Sequence, residues 1–221
     1  MIRFNLLLAC VLAAALVGCV SKKQQSENIR QGIISLTEEE CLSILRSHDV
    51  QFEQLNDIED VQTAIRVNSP LGGVIVEYQW NSETHSIMDC RLAVALLAWA
   101  PTLRRFGITR LRHLRVYSPG VLITKSGRTS SHAWALAIDA AYFERENAPN
   151  LKVERDWTDS EKGVAPCPPR EWESANLHIL RTLVCEAAEN GLFQIILTPH
   201  YNAAHYNHLH LEVSPKRPFV R

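Results

Sequence analysis

Ser130-Ser131-His132-Ala133-Trp134-Ala135-Leu136-Ala137-Ile138-Asp139 and His205-Tyr206-Asn207-His208-Leu209-His210-Leu211-Glu212-Val213 join strand-like alternation to histidines and a carboxylate. From 208 to 213 polar and apolar residues alternate. A period of two marks a strand, so His208, His210 and Glu212 share one face while Leu209, Leu211 and Val213 turn to the core. Nine histidines in 221 residues make an HxH triplet weak by itself, and a surface histidine pair is its plain structural reading. The first stretch adds weight. Along a strand over 136–143, Leu136, Ile138 and Ala140 point inward, which leaves Asp139 on the face of Ala137 and Ala141. A carboxylate among alanines is costly unless something binds it. An unbroken strand would put His132 on the opposite face, so the chain must turn before Asp139, and small Ala133 and Ala135 permit that. His132, Asp139 and a histidine of the other strand can then form a three-ligand site. Three N/O ligands with an open water position is the catalytic pattern for zinc, and two imidazoles favour Zn over Ca or Mg. Glu212, on the ligand face, can hydrogen-bond a ligand from behind, or stand as an exposed residue at a strand end.

The surrounding chain supplies a body for such a site. Thr37 before Glu38-Glu39-Glu40 predicts a capped helix through about Arg46. Gly72-Gly73 leads into a strand over 74–78. Asp89 can cap an apolar helix from Arg91 to about Arg105 that stops near Gly107, with Pro101 expected to kink or split it. A strand over 111–117, a turn at Ser118-Pro119-Gly120 and the strand over 136–143 follow. Residues 144–170, rich in Pro, Asp, Glu and Lys, read as a surface insertion. Trp172 to Asn190 has helical spacing in Leu177, Leu180, Val184 and Ala188, with Gly191 as its stop. Strands over 193–197 and 208–213 complete the pattern. Without strict βαβ alternation, the fold class is α+β, a small, largely antiparallel sheet flanked by helices.

The N-terminus sets the compartment. Arg3 precedes an apolar run from Phe4 to Val17, broken only by Asn5, with the length of a secretory leader. It ends in Leu16-Val17-Gly18-Cys19, which resembles the lipobox of bacterial lipoproteins. That resemblance implies a signal peptide over 1–18, lipidation of Cys19, an anchor and polar tether over 19–36, and a domain over 37–221. An ordinary signal peptide with an incidental cysteine is the alternative. Val20, rather than Asp, favours a periplasmic protein held on the outer membrane of a Gram-negative bacterium. In an oxidising compartment Cys41, Cys90, Cys167 and Cys185 suggest two disulfides with three possible pairings, and we favour Cys41–Cys90 with Cys167–Cys185 over buried free thiols. None has CxxC spacing, which disfavours a cysteine zinc site. A net charge of −1 lacks the basic footprint of a nucleic-acid binder.

The motifs together resemble a known family. Ser130-x-His132-x-x-Ala135-x-Ala137-x-Asp139 with His208-x-His210 resembles the zinc peptidases that cleave D-alanyl bonds in peptidoglycan, the D-alanyl-D-alanine carboxypeptidases and murein endopeptidases. More closely it resembles the bacterial extensin-like C-terminal domain family. That likeness takes in the Cys41 helix, Cys90, Asp156-Trp157, Cys185 and the run Pro199-x-Tyr201-Asn202-Ala203-Ala204-His205-x-x-His208-x-His210, over about residues 41–213. It implies a zinc peptidase-like fold with His132, Asp139 and His210 as zinc ligands, His208 as general base and acid, and His205 as a further active-site histidine. Ser130 and Glu212 would support the ligands. Arg128 would steady a substrate carboxylate or an oxyanion, or be an ordinary solvated Arg. It also implies hydrolysis of D-alanyl or cross-link peptide bonds in peptidoglycan by a monomer, with metal affinity falling below about pH 6. Two departures stand out. Ala135 replaces a usual Gly, and Ser118-Pro119 occupies the region where the family often has Cys-Arg. A non-catalytic cell-wall-binding or structural lipoprotein, or a zinc-delivery protein, would carry the same motifs. His48, His85, His113 and His178 read as surface or capping histidines, with His200 closer to the site loop. Trp80, Trp99, Trp157 and Trp172 read as packing residues, and Trp134 as groove or core.

Overall fold

The computed structural model describes residues 21–80, 86–124, 126–158, 165–170 and 173–221. The leader, Cys19, His85 and Trp172 lie outside the described residues. In chain order the elements are α1 (Lys22–Ser35), α2 (Glu38–Ser47), β1 (Phe52–Gln54), β2 (Ala64–Val67), β3 (Ile75–Tyr78), β4 (Ile87–Asp89), α3 (Cys90–Arg105), β5 (Ile108–His113), β6 (Ala137–Arg145), β7 (Leu151–Lys152), α4 (Val153–Asp156), α5 (Ala175–Glu189), β8 (Ile195–Leu197), β9 (Leu209–Glu212) and β10 (Phe219–Val220). Short 3₁₀ turns, Ser131–Trp134 and Ala203–His205, precede β6 and β9.

The main sheet runs β10-β8-β9-β6-β5-β3, with β7 against β6, and a smaller antiparallel sheet runs β1-β2-β4. Pairing is antiparallel at the centre and parallel only at the edges, β10 with β8 and β3 with β5. The expected mixed fold with an antiparallel sheet and flanking helices is therefore present. One face of the sheet buries Ile138, Ala140, Ile196, Leu209 and Leu211 in the main core, which also holds the apolar residues of α3 and α5. Trp99 is the keystone of that layer. Its ring packs edge-on against Phe143 and Phe193, and its indole N–H donates to the Leu183 carbonyl at 3.2 Å.

Local chemistry explains the helix ends. Thr37 and Glu40 form a capping box on α2. Asp89, fully buried, caps α3 and also takes both the Arg91 guanidinium and the Thr63 N–H. Pro101 does not split α3, because Leu96, Leu97, Trp99, Ala100 and Leu103 are all buried around it and tertiary packing outweighs the one lost bond. The disulfides are Cys41–Cys90, tying α2 to the start of α3, and Cys167–Cys185, tying the segment before α5 to that helix.

Several expectations are corrected. The polar tether is helical over Lys22–Ser35 and docks on α3 and α5 with Ser26, Arg30 and Ile33 buried. Its carbonyl at Ser26 lies 2.1 Å from where a side chain on Gly191 would begin, so Gly191 is needed for close approach as well as for its positive φ of 67°. The insertion is not all surface, since Leu151, Val153, Asp156 and Trp157 are buried. The strand expected over 111–117 is shifted to Ile108–His113. Trp80 is 55% exposed rather than packed. His113 is only 1% exposed rather than on the surface.

Candidate metal and active site

The face of the sheet opposite the helices carries the histidines. In the antiparallel β6–β9 register Asp139 stands directly opposite His210. His132 arrives by the turn that the sequence demanded. The 3₁₀ turn Ser131–Trp134, capped by Ser130 Oγ on the His132 N–H at 3.4 Å, ends on Ala135 in the left-handed conformation, φ 52° and ψ 26°. Glycine is the residue best suited to that conformation, so the usual Gly of the motif has a backbone reason.

The three side chains converge. Asp139 Oδ1 lies 3.1 Å from His132 Nε2 and 3.0 Å from His210 Nδ1. One donor atom from each residue falls within 4.8 Å of the others, and all three residues are buried. Each imidazole is held from behind. His132 Nδ1 is 2.8 Å from the Val116 carbonyl, which leaves Nε2 to face the cluster. His210 Nε2 is 3.5 Å from Glu212, whose other oxygen accepts from Lys216 Nζ at 2.8 Å. Lys216 was not singled out in the sequence, where nothing links it to the motif.

His208 completes the group, with Nε2 at 3.4 Å from the same Asp139 oxygen and Nδ1 at 2.8 Å from the Asn207 side chain. His205 lies outside the ion-pair distances but packs its ring 5.1 Å from that of His208 and 5.9 Å from that of His210. Asn202 Oδ1 orients it at 2.8 Å and also caps its 3₁₀ turn through the Ala204 N–H. Arg128 is exposed, and its Nε bonds Ser126 within its own loop at 3.4 Å. The histidines and Asp139 thus come together, and Arg128 is not among their partners.

The electrostatics follow from this crowding. Burial alone would raise the Asp139 carboxyl, but His132 and His210 hold it well below the ordinary carboxylate range. Burial opposes charge on His210, yet Asp139 and Glu212 raise it to about 9. Burial would also raise Glu212, which His210 and Lys216 bring down to about 2. Burial, then His208 and His210, push His205 down to about 4. His208 is likewise lowered, first by burial, with Asp139 opposing and His210, His132 and Arg115 adding. The result is a buried carboxylate, two imidazole nitrogens aimed at it, and two further histidines that stay neutral at pH 7. Such a set can hold a divalent cation and move a proton.

A profile of the extensin-like protein C-terminus family matches residues 39–220, the greater part of the chain. The chain belongs to this family. The matched span runs from the second residue of α2 to the end of β10 and contains all five clustered side chains of this extensin-like domain. No curated protein and no solved structure matches the chain. Among the described residues no helix is long and apolar enough to cross a membrane.

Proposed function

We propose that this extensin-like protein is a zinc-dependent peptidase. In this reading it is a periplasmic lipoprotein, anchored to the outer membrane through Cys19, that hydrolyses D-alanyl or cross-link peptide bonds in peptidoglycan. The observation that carries the reading is the meeting of His132 Nε2, Asp139 Oδ1 and His210 Nδ1, with His208 Nε2 beside them. The donor set fits the ion. Ligands ~2.0–2.2 Å from a tetrahedral zinc stand roughly 3.3 Å apart, close to the 3.0 and 3.1 Å from Asp139 to the two imidazoles. The Val116 carbonyl and Glu212 hold the remote ring nitrogens, as ligand histidines require. The likeness to the D-alanyl peptidases in motif and order supplies the substrate class.

Zinc held by His132, Asp139 and His210 would supply an acidified water and a Lewis acid for the scissile carbonyl. The protein's own residues do the rest. His208, neutral at pH 7, accepts the water's proton at Nε2 and returns it to the leaving amine. Asn207 fixes the His208 ring for that transfer. His205, kept neutral by burial and its neighbours, offers a hydrogen-bonding nitrogen beside the reacting group without adding charge.

His208→Ala tests the reading. Cleavage of purified peptidoglycan, followed by mass spectrometry of the released peptides, is expected to fall by about 10²–10⁴-fold while zinc stays bound. A wild-type protein that binds the wall but releases no peptide with zinc present would instead make it a wall-binding module.

A further inference from the structure

The histidine face does not stop at β9. Residues paired across a sheet share a face, and the register runs Asp139–His210–Leu197 in one row and Ala137–Glu212–Ile195–Phe219 in the next. Leu197, Ile195 and Phe219 therefore stand on the side that carries the histidine cluster, not on the helix side. All three are apolar, yet Leu197 and Ile195 are only half-buried and Phe219 is 38% exposed. The loop after β8 adds Tyr201, 43% exposed. Its ring centre lies 5.9 Å from that of Phe219 and 5.4 Å from that of His205, which in turn packs against His208 and His210. The rings form a continuous path from the cluster to β10, two strands and roughly 10 Å beyond β9. Backbone bonds fix that path. The Phe219 N–H donates to the Gln194 carbonyl at 2.8 Å and the Arg221 N–H to the Ile196 carbonyl at 3.0 Å. The Thr198 N–H donates to the Arg221 carbonyl at 2.6 Å, and the Tyr201 N–H to the Thr198 carbonyl at 2.9 Å, so β10 and the site loop are locked together. An exposed apolar strip that continues a candidate active face on rigid backbone marks a binding surface.

We propose that this strip is a carbohydrate subsite, on which Tyr201 and Phe219 stack against pyranose rings of the glycan strand that carries the cleaved peptide. The proposal deepens the peptidase reading above and rests on it for the identity of the polymer. A pyranose carries C–H groups on its faces and hydroxyls around its rim. An open aromatic strip covers the C–H faces and leaves the rim in water. The Arg221 guanidinium, 5.4 Å from the Phe219 ring centre, adds N–H donors at the far end of the strip for rim oxygens. An apolar peptide side chain is better held in a concave pocket than on an open sheet face. The consequence is a preference for peptides still attached to glycan over peptides set free from it.

The test titrates the full chain calorimetrically with glycan strands stripped of peptide and, separately, with free stem peptides. Wild type is compared with Phe219→Ala, Phe219→Trp and Tyr201→Ala. Phe219 is exposed on an edge strand, so its replacement leaves the core intact. The wild type is expected to bind the stripped glycan. That affinity should fall about 5- to 50-fold in Phe219→Ala and in Tyr201→Ala, more than any loss on free peptide, and be kept in Phe219→Trp. No glycan binding by the wild type would overturn the proposal, and so would glycan binding that both alanine variants keep. Equal losses on glycan and on free peptide would overturn it too, because the strip would then be a peptide surface. Binding requires no cleavage, so the two readings fail separately. Glycan bound in the expected pattern, with no peptide released from intact wall by the zinc-loaded protein, keeps the subsite and removes the peptidase.

Discussion

Strands β6 and β9 carry opposite chemistry on their two faces. Toward the helices, Ile138, Ala140, Leu209 and Leu211 are fully buried among apolar neighbours. On the other face Asp139, His208, His210 and Glu212 are also buried, at 4–8% exposure, but among one another. The first face is stabilised by area removed from water and is indifferent to pH and metal. The second is held by mutual hydrogen bonds among titratable groups, a poor arrangement for stability and a good one for holding an ion. Stability and chemistry are therefore separable by residue, although adjacent positions in one strand serve them.

The largest effect should come from the helix-side layer. Trp99→Ala removes the ring between α3, Phe143 and Phe193 and is expected to cost about 3–5 kcal/mol by denaturant unfolding. Zinc affinity at permissive temperature should be little changed. A large loss of zinc affinity in the folded variant would show that the two faces are not separable.

The histidine face should respond to pH where the other does not. Below about 9 the metal-free His210 carries a proton that an incoming ion must displace. Zinc affinity should then rise roughly tenfold per pH unit up to about 9, not merely fall below pH 6, and calorimetry in buffers of different ionisation enthalpy should find about one proton released at pH 7. The metal-free fold follows the opposite sign. His210 is raised above its unfolded value of 6.5, so its stabilisation is complete below 6.5 and disappears as pH rises through about 9. Glu212 is lowered from 4.5, so its contribution is present above 4.5 and disappears as pH falls toward about 2. Without metal, stability should peak between those limits. A flat profile from pH 6 to 9 would contradict the His210–Asp139–Glu212 chain.

Glu212→Gln sharpens the comparison further. It keeps the shape behind His210 but removes the charge, and zinc affinity should drop about 10- to 100-fold by competition with a chelating dye. The smallest effect belongs to the turn. Ala135→Gly relieves a left-handed alanine at some cost in unfolded-state entropy, so unfolding should show a gain of no more than about 1 kcal/mol.

The site was legible because its signals were local or periodic. Period two placed His208, His210 and Glu212 together, and the awkward position of Asp139 called for both a turn and a partner. The caps at Thr37 and Asp89 were legible for the same reason, whereas the two disulfides, which close separations of 49 and 18 residues, were favoured among three pairings by cysteine count and compartment alone. What escaped depended on contacts distant in sequence. The two-residue strand β10 exists because Phe219 and Val220 pair in parallel with Ile195 and Ile196, which no local pattern announces. Polar composition hid α1, whose helical face meets the body through Ser26, Arg30 and Ile33. His113 read as a surface or capping residue because a lone histidine carries no mark of its burial.

The most direct test is the X-ray absorption spectrum of the zinc-loaded protein at the zinc edge. Four light ligands are expected at ~2.0–2.1 Å with the multiple-scattering signature of two imidazoles, reduced to one imidazole in His132→Ala. A spectrum with sulfur at ~2.3 Å, or one that His132→Ala and Asp139→Asn leave unaltered, would put the metal elsewhere and contradict it.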